Sequence, residues 1–233
     1  KALINLLADT DSFLELREKF ALGMITGFAR IEGRPIGIIA NNPKHLGGAI
    51  DSEGADKAAR FMQLCDAFGS PILSLCDTPG IMVGPEAEKT ATVRHASRLF
   101  VIGGSLSVPV FTIVLRKGYG LGAQAMAGGS FHVPAFTIAW PTGEFGAMGL
   151  EGAVKLGFRK ELEQAGSPEE QQALYEKMVA KAYERGKGLN LASYLEIDDV
   201  IDPVDSRKWI INGLDTIPKD KYKSGGNRIV DTW

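Results

Sequence analysis

The chain has 233 residues, of which 45% are hydrophobic and 23% are charged, and its formal net charge at pH 7 is −2. This composition is typical of one large globular domain, and the charge balance gives no indication of a nucleic-acid or anionic-membrane partner. The longest apolar runs are shorter than the ~20 residues that a membrane helix needs, and no signal peptide is recognisable. We therefore expect neither nucleic acid nor a membrane among the partners.

The chain contains two cysteines, Cys65 and Cys76, and each lies inside an apolar segment. A small buried thiol is the usual occupant of such a position, so we expect no disulfide framework. The predicted location is the cytoplasm, or the mitochondrial matrix if the source is eukaryotic. The first residue is Lys1 rather than Met, which indicates a fragment or an engineered domain.

Strands and helices alternate along the first two thirds of the chain. Short apolar runs rich in Ile, Val and Thr predict buried strands at 34–42, 70–77, 108–117 and 133–141. Helical patterns lie between the first three, at 52–68 and 85–102, with Ser52 as the predicted N-cap and Gly69 as the stop of the first helix. This alternation predicts parallel βαβ units and an α/β fold.

The remaining elements flank this region. Two strand-like runs around Glu32-Gly33 predict a hairpin. After Pro141 the pattern is helical, and one helix is predicted to be capped by Ser167 and ended by Gly186 and Gly188. Near the end, a short strand precedes an amphipathic helix from about Asp205. The final "KDKYKSGGNRIVDTW" has no core pattern and is predicted to extend over the surface or onto a partner.

The most informative stretch is "VLRKGYGLGAQAM" (114–126), in which a strand ending at Arg116 and Lys117 leads through three alternate glycines into a helix. A helix N-terminus offers unpaired N–H groups and the positive end of a dipole, and glycine lets a ligand oxygen approach them. The loop "CDTPGIMVGPEAEK" has similar features and also follows a strand. Such amides can stabilise an oxyanion by ~3 kcal/mol per donor. An alternative of equal weight is that both glycine-containing loops are simply tight turns that bind no ligand.

Other chemistries match the sequence less well. Gly118-x-Gly120-x-x-Ala123 fits a dinucleotide fingerprint, but the required acidic partner is represented by Glu144 alone, which follows a Pro and a Gly. No Walker loop and no Gly-x-Ser-x-Gly elbow are present. The site therefore offers backbone donors, and its chemistry is expected to come from a substrate or cofactor.

The histidines do not indicate a metal site, because none has a second ligand at helical spacing. They are His45, His95 and His132. His95 lies on a predicted helix, where we expect it to pack or to form a hydrogen bond. Glu86 and Glu88 lie in the first turn of a predicted helix, where they complement its dipole.

Four ordered blocks carry a family resemblance: "ITGFARIEGRPIGIIANNP", "DKAARFMQLCDAFGSPILSLCDTPGIMVGPEAEKTATVRHASRLF", "VPVFTIVLRKGYGLGAQAM" and "IDDVIDPVDSR". Together they resemble the C-terminal half of the carboxyltransferase (beta) subunit of biotin-dependent acyl-CoA carboxylases of the propionyl-CoA and acetyl-CoA type. The resemblance runs from about Asp11 to Leu214 and implies the crotonase-like (ClpP/crotonase) fold, a spiral of ββα units. It implies one C-terminal-type domain over 1–233, with a core at 11–214, an extended tail at 215–233, and no N-terminal half.

The resemblance also implies a reaction and partners. In the family, carboxybiotin on a carrier protein gives up CO2, the biotin enolate removes the α-proton of an acyl-CoA, and protein amides hold the two oxyanions. The implied partners are the N-terminal carboxyltransferase half, the biotin carboxyl carrier protein, biotin carboxylase and further copies of the subunit. The active site lies between the N-half of one subunit and the C-half of another, so we expect the isolated domain to be inactive alone.

The implied biotin-side donors are the amides of Leu121 and Gly122, with Gly80 as a further N–H donor. The biotin-contacting residues implied by the family are Thr78, Pro79, Gly80, Tyr119, Gly120, Leu121, Gly122 and Gln124. The family usually reads "RKAYGGAYDVM" where this chain reads "RKGYGLGAQAM", so that Leu121 replaces a Gly and Gln124 replaces an Asp or a similar residue. Three alternatives remain: the carboxyltransferase of a biotin-dependent decarboxylase, a biotin-independent crotonase-type hydratase or isomerase, and a non-catalytic assembly domain.

Overall fold

The computed structural model describes residues 1–217, and a single eight-stranded sheet runs through this part of the chain. The strands are β1 (Leu14–Leu16), β2 (Met24–Ile31), β3 (Arg34–Asn41), β4 (Ile72–Thr78), β5 (Val110–Tyr119), β6 (Phe136–Ala139), β7 (Glu144–Gly146) and β8 (Asp199–Val200). Their spatial order is β1-β2-β3-β4-β5-β6-β8, and β7 pairs with the end of β5. The β1 to β3 pairs are antiparallel and all the others are parallel, which confirms the predicted α/β class.

Helices cover both faces of this sheet. They are α1 (Ala2–Leu7), α2 (Ser52–Phe68), α3 (Pro85–Lys89), α4 (Thr92–Ser105), α5 (Gly120–Met126), α6 (Leu150–Gly157), α7 (Arg159–Gln164), α8 (Pro168–Arg185), α9 (Gly188–Ser193) and α10 (Ser206–Asp215). Short 3₁₀ turns occur at Leu46–Gly48 and Pro203–Asp205. Within residues 1–217, no helix combines the length and the apolar character needed to cross a bilayer.

The predicted hairpin is confirmed, and its turn has a local cause. Glu32 and Gly33 have φ values of 50° and 72°, so both central residues are left-handed, as a two-residue type I′ turn requires. Ile31 pairs with Arg34 on either side of the turn. The β2–β3 hairpin followed by α2 forms one ββα unit.

Every residue of β4 is buried, because the two faces of the strand contribute to different apolar clusters. Ile72 and Cys76 pack in the cluster that contains residues of α2, α4 and α5. Leu73 and Leu75 pack in the opposite cluster, with residues of α1 and α10. Helices on both faces explain why the strand sequence is uniformly apolar rather than alternating.

The end of β5 differs from the prediction. The strand continues beyond Lys117 to Tyr119, because β7 pairs with Lys117–Tyr119 in parallel register. Helix α5 then begins directly at Gly120. The cause is a pairing with residues 27 positions later in the chain, which local sequence cannot reveal.

Two helix predictions also need correction. The N-cap of α2 is Asp51 rather than Ser52, since the Asp51 carboxylate accepts the Gly54 N–H at 2.7 Å. The predicted helix at 85–102 is divided into α3 and α4 at Ala91, which has a φ of 53°. The predictions of Gly69 as the stop of α2 and of Ser167 as the cap of α8 are confirmed.

The packed unit extends beyond the predicted core at both ends. Ile4 and Leu7 are buried in the same cluster as Leu214, and Ile217 packs against that cluster. The core therefore begins before Asp11. The rest of the predicted tail, residues 218–233, lies outside the described residues.

Both cysteines are free and buried, as predicted. Burial raises the pKa of the Cys76 thiol to about 12 and shifts the pKa of Cys65 in the same direction. Because the reactive species is the thiolate, both thiols are inert at neutral pH.

Asp9 connects the N-terminal segment to the hairpin turn and to α10. Its carboxylate accepts the N–H groups of Glu32 and Gly33 at 3.0 and 2.8 Å and pairs with Arg207 at 2.7 Å. The Arg207 hydrogen bond, followed by that of Gly33, lowers the pKa of Asp9 to about 2.

A carboxyl group whose pKa is lower in the folded state stabilises the fold above its unfolded pKa of ~3.9. That contribution is lost as the pH falls from about 4 to about 2. We therefore expect Asp9→Asn to lower the urea midpoint at pH 7 and to have little effect near pH 2. A loss in urea midpoint that is the same at both pH values would contradict this assignment.

Candidate active site

The two glycine-containing loops of the sequence meet at the carboxyl ends of β4 and β5. Thr78 pairs with Gly118 in the sheet, so the turns that follow these strands lie side by side. A Cβ atom on Gly122 would lie 2.6 Å from the carbonyl carbon of Gly80 and 3.0 Å from the Ile81 nitrogen. The start of α5 therefore packs directly against the Thr78-Pro79-Gly80 turn.

Backbone amides at the start of α5 are available as donors. The N-cap residue, Tyr119, is extended and makes no side-chain capping bond. The first N–H groups of a helix have no acceptor within the helix, and here they include those of Leu121 and Gly122. The sequence prediction of two adjacent backbone donors is consistent with this geometry.

The leucine that replaces a family glycine lies on the surface of the turn. The Leu121 side chain is 62% exposed, so it points away from the core. Gly120, by contrast, has a φ of +58°, and a Cβ atom there would lie 2.6 Å from the Ala147 carbonyl oxygen. The turn thus requires glycine at 120 and tolerates a side chain at 121.

Gly80 does not provide the further donor that the sequence predicts. Its N–H donates to Thr78 Oγ1 at 3.1 Å, and its carbonyl accepts the Ile50 N–H at 3.0 Å. With a φ of +125°, Gly80 shapes the turn instead. The prediction of a donor at Gly80 is wrong because the neighbouring threonine hydroxyl already occupies that N–H.

The two cations at the end of β5 are engaged in structural contacts. Arg116 Nη2 lies 3.2 Å from Asp77 Oδ2, and the Lys117 N–H donates to the same carboxylate. Lys117 Nζ donates to the Gly47 carbonyl. These contacts hold the ends of β4 and β5 together beneath the site.

Two grooves open on either side of the start of α5. The first, here named the Leu121 groove, has a volume of about 690 Å³ and is largely apolar. Its lining includes Pro79, Gly80, Ile81, Val83, Val93, Phe100, Gly120, Leu121 and Met148. The second, named the Gln124 groove, has a volume of about 760 Å³. Gly120 and Ala147 line both grooves and so form the wall between them.

The structure thus separates the predicted site residues into three groups. Pro79, Gly80, Gly120 and Leu121 line the Leu121 groove. Gln124 lines the other groove, together with Gly120. Thr78, Tyr119 and Gly122 are buried and line neither groove.

Glu144 has a structural role that the sequence interpretation missed. The buried Tyr119 hydroxyl donates to Glu144 Oε2 at 2.9 Å. Burial, and then the hydrogen bond with Glu144, raises the pKa of Tyr119 above its usual value. Because Tyr119 is the N-cap of α5, this bond anchors the turn to β7. The short β7 run "EFG" carries no sequence signal that identifies it.

The prediction for His95 is confirmed, since its Nδ1 lies 2.7 Å from Asp56 Oδ2. His132 Nε2 lies 3.5 Å from Glu196 on the surface. Across residues 1–217, no group of three or more His, Cys, Asp or Glu residues is arranged to hold a metal ion.

Comparison with known proteins places this chain in a family. Residues 1–224 match the family model described as "Carboxyl transferase domain". The propionyl-CoA carboxylase beta chain of Roseobacter denitrificans is 38% identical over 216 residues, which are 90% of this chain and 40% of that protein. The methylmalonyl-CoA carboxyltransferase 12S subunit of Propionibacterium freudenreichii is 36% identical, over 91% of this chain and 40% of that protein.

Solved structures agree with these relatives. A single-chain, multi-domain long-chain acyl-CoA carboxylase is 56% identical, with a TM-score of 0.81 over 90% of this chain and 20% of that one. The transcarboxylase 12S structure with bound methylmalonyl-coenzyme A is 33% identical, with a TM-score of 0.85 over 97% of this chain and 44% of that one. This chain spans less than half the length of the curated relatives reported above. It belongs to the carboxyl transferase family and has the crotonase-like fold of these enzymes.

Proposed function

We propose that this chain is the biotin-binding half of an acyl-CoA carboxyltransferase, which transfers a carboxyl group from carboxybiotin to the α-carbon of an acyl-CoA. The observation that carries the proposal is the start of α5 directly after β5, where the N–H groups of Leu121 and Gly122 have no acceptor within the helix and Leu121 lines the Leu121 groove. The relatives named for propionyl-CoA and methylmalonyl-CoA carboxyl transfer support the reaction class.

The Leu121 groove fits a biotin ring. It has room for the bicyclic ring and apolar walls for the ring's hydrocarbon part, and the two amides supply donors for one oxygen. Carboxybiotin, when bound, supplies the carboxyl group and the base. The Leu121 and Gly122 amides would hold the ureido oxygen as negative charge develops on it, each contributing ~3 kcal/mol. The Thr78-Pro79-Gly80 turn fixes the position of these donors by direct contact.

The proposed substrate is a long-chain acyl-CoA. Identity is 56% to the structure named as a long-chain acyl-CoA carboxylase and 38% to the propionyl-CoA relative. Gln124 also stands where the family usually has an Asp, which removes a charge from the site.

The proposed partners are an N-terminal carboxyltransferase half, the biotin carboxyl carrier protein, biotin carboxylase and further copies of the subunit. Val83 and Val93 are 84% and 80% exposed beside Leu121, and such an apolar patch is typical of a protein interface. One structural relative is described as a hexamer assembly. We propose a cytoplasmic location, or the mitochondrial matrix in a eukaryote, because both buried thiols are free.

A biotin-independent hydratase or isomerase would need an acidic catalytic group beside the oxyanion turn. Glu144 lies there, but its carboxylate accepts the Tyr119 hydroxyl. Gln124 supplies no charge. A biotin-dependent decarboxylase would use the same site in the reverse direction. A carboxylation assay with bicarbonate and ATP distinguishes a carboxylase from such a decarboxylase.

A crystal of the chain soaked in biotin tests the proposal. The ureido oxygen should lie about 2.7 to 3.2 Å from the Leu121 and Gly122 nitrogens. Biotin bound only at another position would overturn the assignment.

A further inference from the structure

The two residues at the start of α5 are held by one short segment, 144–147, which contains β7. The Tyr119 hydroxyl donates to Glu144 Oε2 at 2.9 Å, and the Tyr119 backbone pairs with β7. Gly120, the next residue, packs against the Ala147 carbonyl, whose oxygen would lie 2.6 Å from an added Cβ atom. The segment therefore fixes the two residues that come directly before the proposed donor amides.

Segment 144–147 is itself attached to the end of α8. The Phe145 N–H donates to the Gly186 carbonyl at 2.8 Å, directly after the last residue of that helix. A Cβ atom on Gly186 would overlap the Phe145 carbonyl oxygen, so the two backbones are in close contact. The Phe145 side chain is buried. Glu144 thus lies on a well-packed support, and a hydrogen bond to it can fix the position of its partner.

Burial makes the Tyr119 hydroxyl dependent on this bond. Tyr119 is 4% exposed, and a buried hydroxyl needs a partner within the protein. Burial, and then the hydrogen bond with Glu144, raises the pKa of Tyr119, so the hydroxyl keeps its proton and remains a donor at neutral pH. A second hydroxyl, that of Tyr183, lies beside it and donates to Glu151 Oε1 at 2.5 Å.

The direction of the Leu121 and Gly122 N–H groups depends on the conformation of Tyr119. This residue is the N-cap of α5 and is extended, with φ and ψ of −104° and 136°, and Gly120 follows at a φ of 58°. Backbone donors stabilise an oxyanion only when they point at the position where its charge develops. A displacement of about 1 Å at a reacting centre can cost about a hundredfold in rate. A residue that fixes Tyr119 therefore affects the reaction without touching the substrate.

We propose that Glu144 is a positioning residue for carboxyl transfer, which holds the Tyr119 hydroxyl and so directs the donor amides at the ureido oxygen of biotin. This inference rests on the proposed function, because it takes the amides of Leu121 and Gly122 as the donors. The ureido oxygen gains negative charge as the carboxyl group leaves, so misdirected amides weaken the transition state more than the bound substrate. Loss of the bond should lower kcat and leave KM for the carboxylated carrier protein unchanged.

The test is steady-state carboxyl transfer by the complete carboxyltransferase, with the N-terminal half and carboxylated carrier protein supplied. Tyr119→Phe keeps the buried ring and removes the hydroxyl, so kcat should fall about tenfold with KM unchanged. Glu144→Leu removes the acceptor and should have the same effect. Because both variants break one bond, kcat of the double variant should lie within about twofold of either single variant.

Glu144→Gln is the conservative variant that separates the hydrogen bond from the charge. Its side-chain carbonyl still accepts the hydroxyl hydrogen, so kcat should stay within about threefold of the wild-type value. Tyr175→Phe is the matched control for the loss of a tyrosine hydroxyl. Tyr175 lies on α8, and its ring contacts Lys155 Nζ at 5.3 Å from the centroid, a contact that phenylalanine retains. This control should leave kcat and KM unchanged.

NMR spectra of the ¹⁵N-labelled chain without ligand report on the position of the amides. The Leu121 and Gly122 resonances should move in Tyr119→Phe, and the thermal midpoint establishes that the variant is folded. Tyr119→Phe decides the question alone if Glu144→Leu does not fold. A wild-type kcat in folded Tyr119→Phe, unmoved amide resonances, or a Glu144→Gln enzyme as slow as Tyr119→Phe would overturn the proposal.

The outcomes also separate this inference from the proposed function. Slow transfer by Leu121→Pro together with wild-type transfer by Tyr119→Phe would contradict only the role of Glu144. Biotin bound only at another position would contradict the proposed function itself, and with it the direction of the amides towards biotin, whatever the kinetics of Tyr119→Phe.

Discussion

Leu121→Pro should reduce carboxyl transfer by about a hundredfold to a thousandfold, whereas Leu121→Ala should retain most of the activity. Proline has no N–H, so the first variant removes one of the two proposed donors, and the second keeps it. Leu121 suits this test because its side chain is exposed and because it lies in the first turn of α5, where proline is best tolerated in a helix. Gly122→Pro is less informative, because any side chain there would meet the Gly80 backbone.

Transfer should be measured in the complete carboxyltransferase, with the N-terminal half and carboxylated carrier protein supplied. Circular dichroism and the thermal midpoint of each variant establish that the fold is retained. A folded Leu121→Pro enzyme with wild-type transfer would show that the Leu121 amide is not a catalytic donor. Equal losses in both variants would assign the effect to the side chain.

Gly122→Ala should destabilise the protein by about 2 to 3 kcal/mol, which is large for the addition of one methyl group. The methyl carbon would lie 2.6 Å from the carbonyl carbon of Gly80, and backbone atoms on both sides leave little room to relax. The two turns would have to separate, so transfer should fall together with stability. Urea denaturation measures the stability loss.

Gly104→Ala is the matched control for this substitution. Gly104 lies in α4 with no atom within 4 Å of its added Cβ position, and it has no left-handed φ. Alanine there should be neutral or stabilising by up to ~1 kcal/mol. Equal free energies of unfolding for the two variants would contradict the tight contact between the turns.

Features that depend on local sequence were predictable. Glu32-Gly33 carries its own turn preference, and the uniformly apolar run of β4 indicates a strand covered on both faces. Ser167 marks the start of α8 through a side-chain hydrogen bond, and Gly69 marks the end of α2 because glycine readily adopts a left-handed conformation. Neither effect needs a distant partner. That a helix start follows this strand was predictable from the alternate glycines, whereas the choice of the Leu121 and Gly122 amides came from the family resemblance.

Features that depend on distant contacts were not predictable. Tyr119 extends β5 because β7 pairs with it, and Glu144 then holds its hydroxyl. The occupied N–H of Gly80 depends on the conformation of the Thr78 side chain. The Gln124 groove exists because α8 leaves space beside α5, a consequence of tertiary packing that no single segment encodes.

A biotin titration of the ¹⁵N-labelled chain, followed by NMR, tests whether the Leu121 and Gly122 amides bind biotin. We expect the amide resonances of Leu121 and Gly122 to shift most, in a saturable manner, and we expect Leu121→Pro to abolish saturation at Gly122. Saturable shifts confined to other amides, with those of Leu121 and Gly122 unchanged, would contradict this expectation.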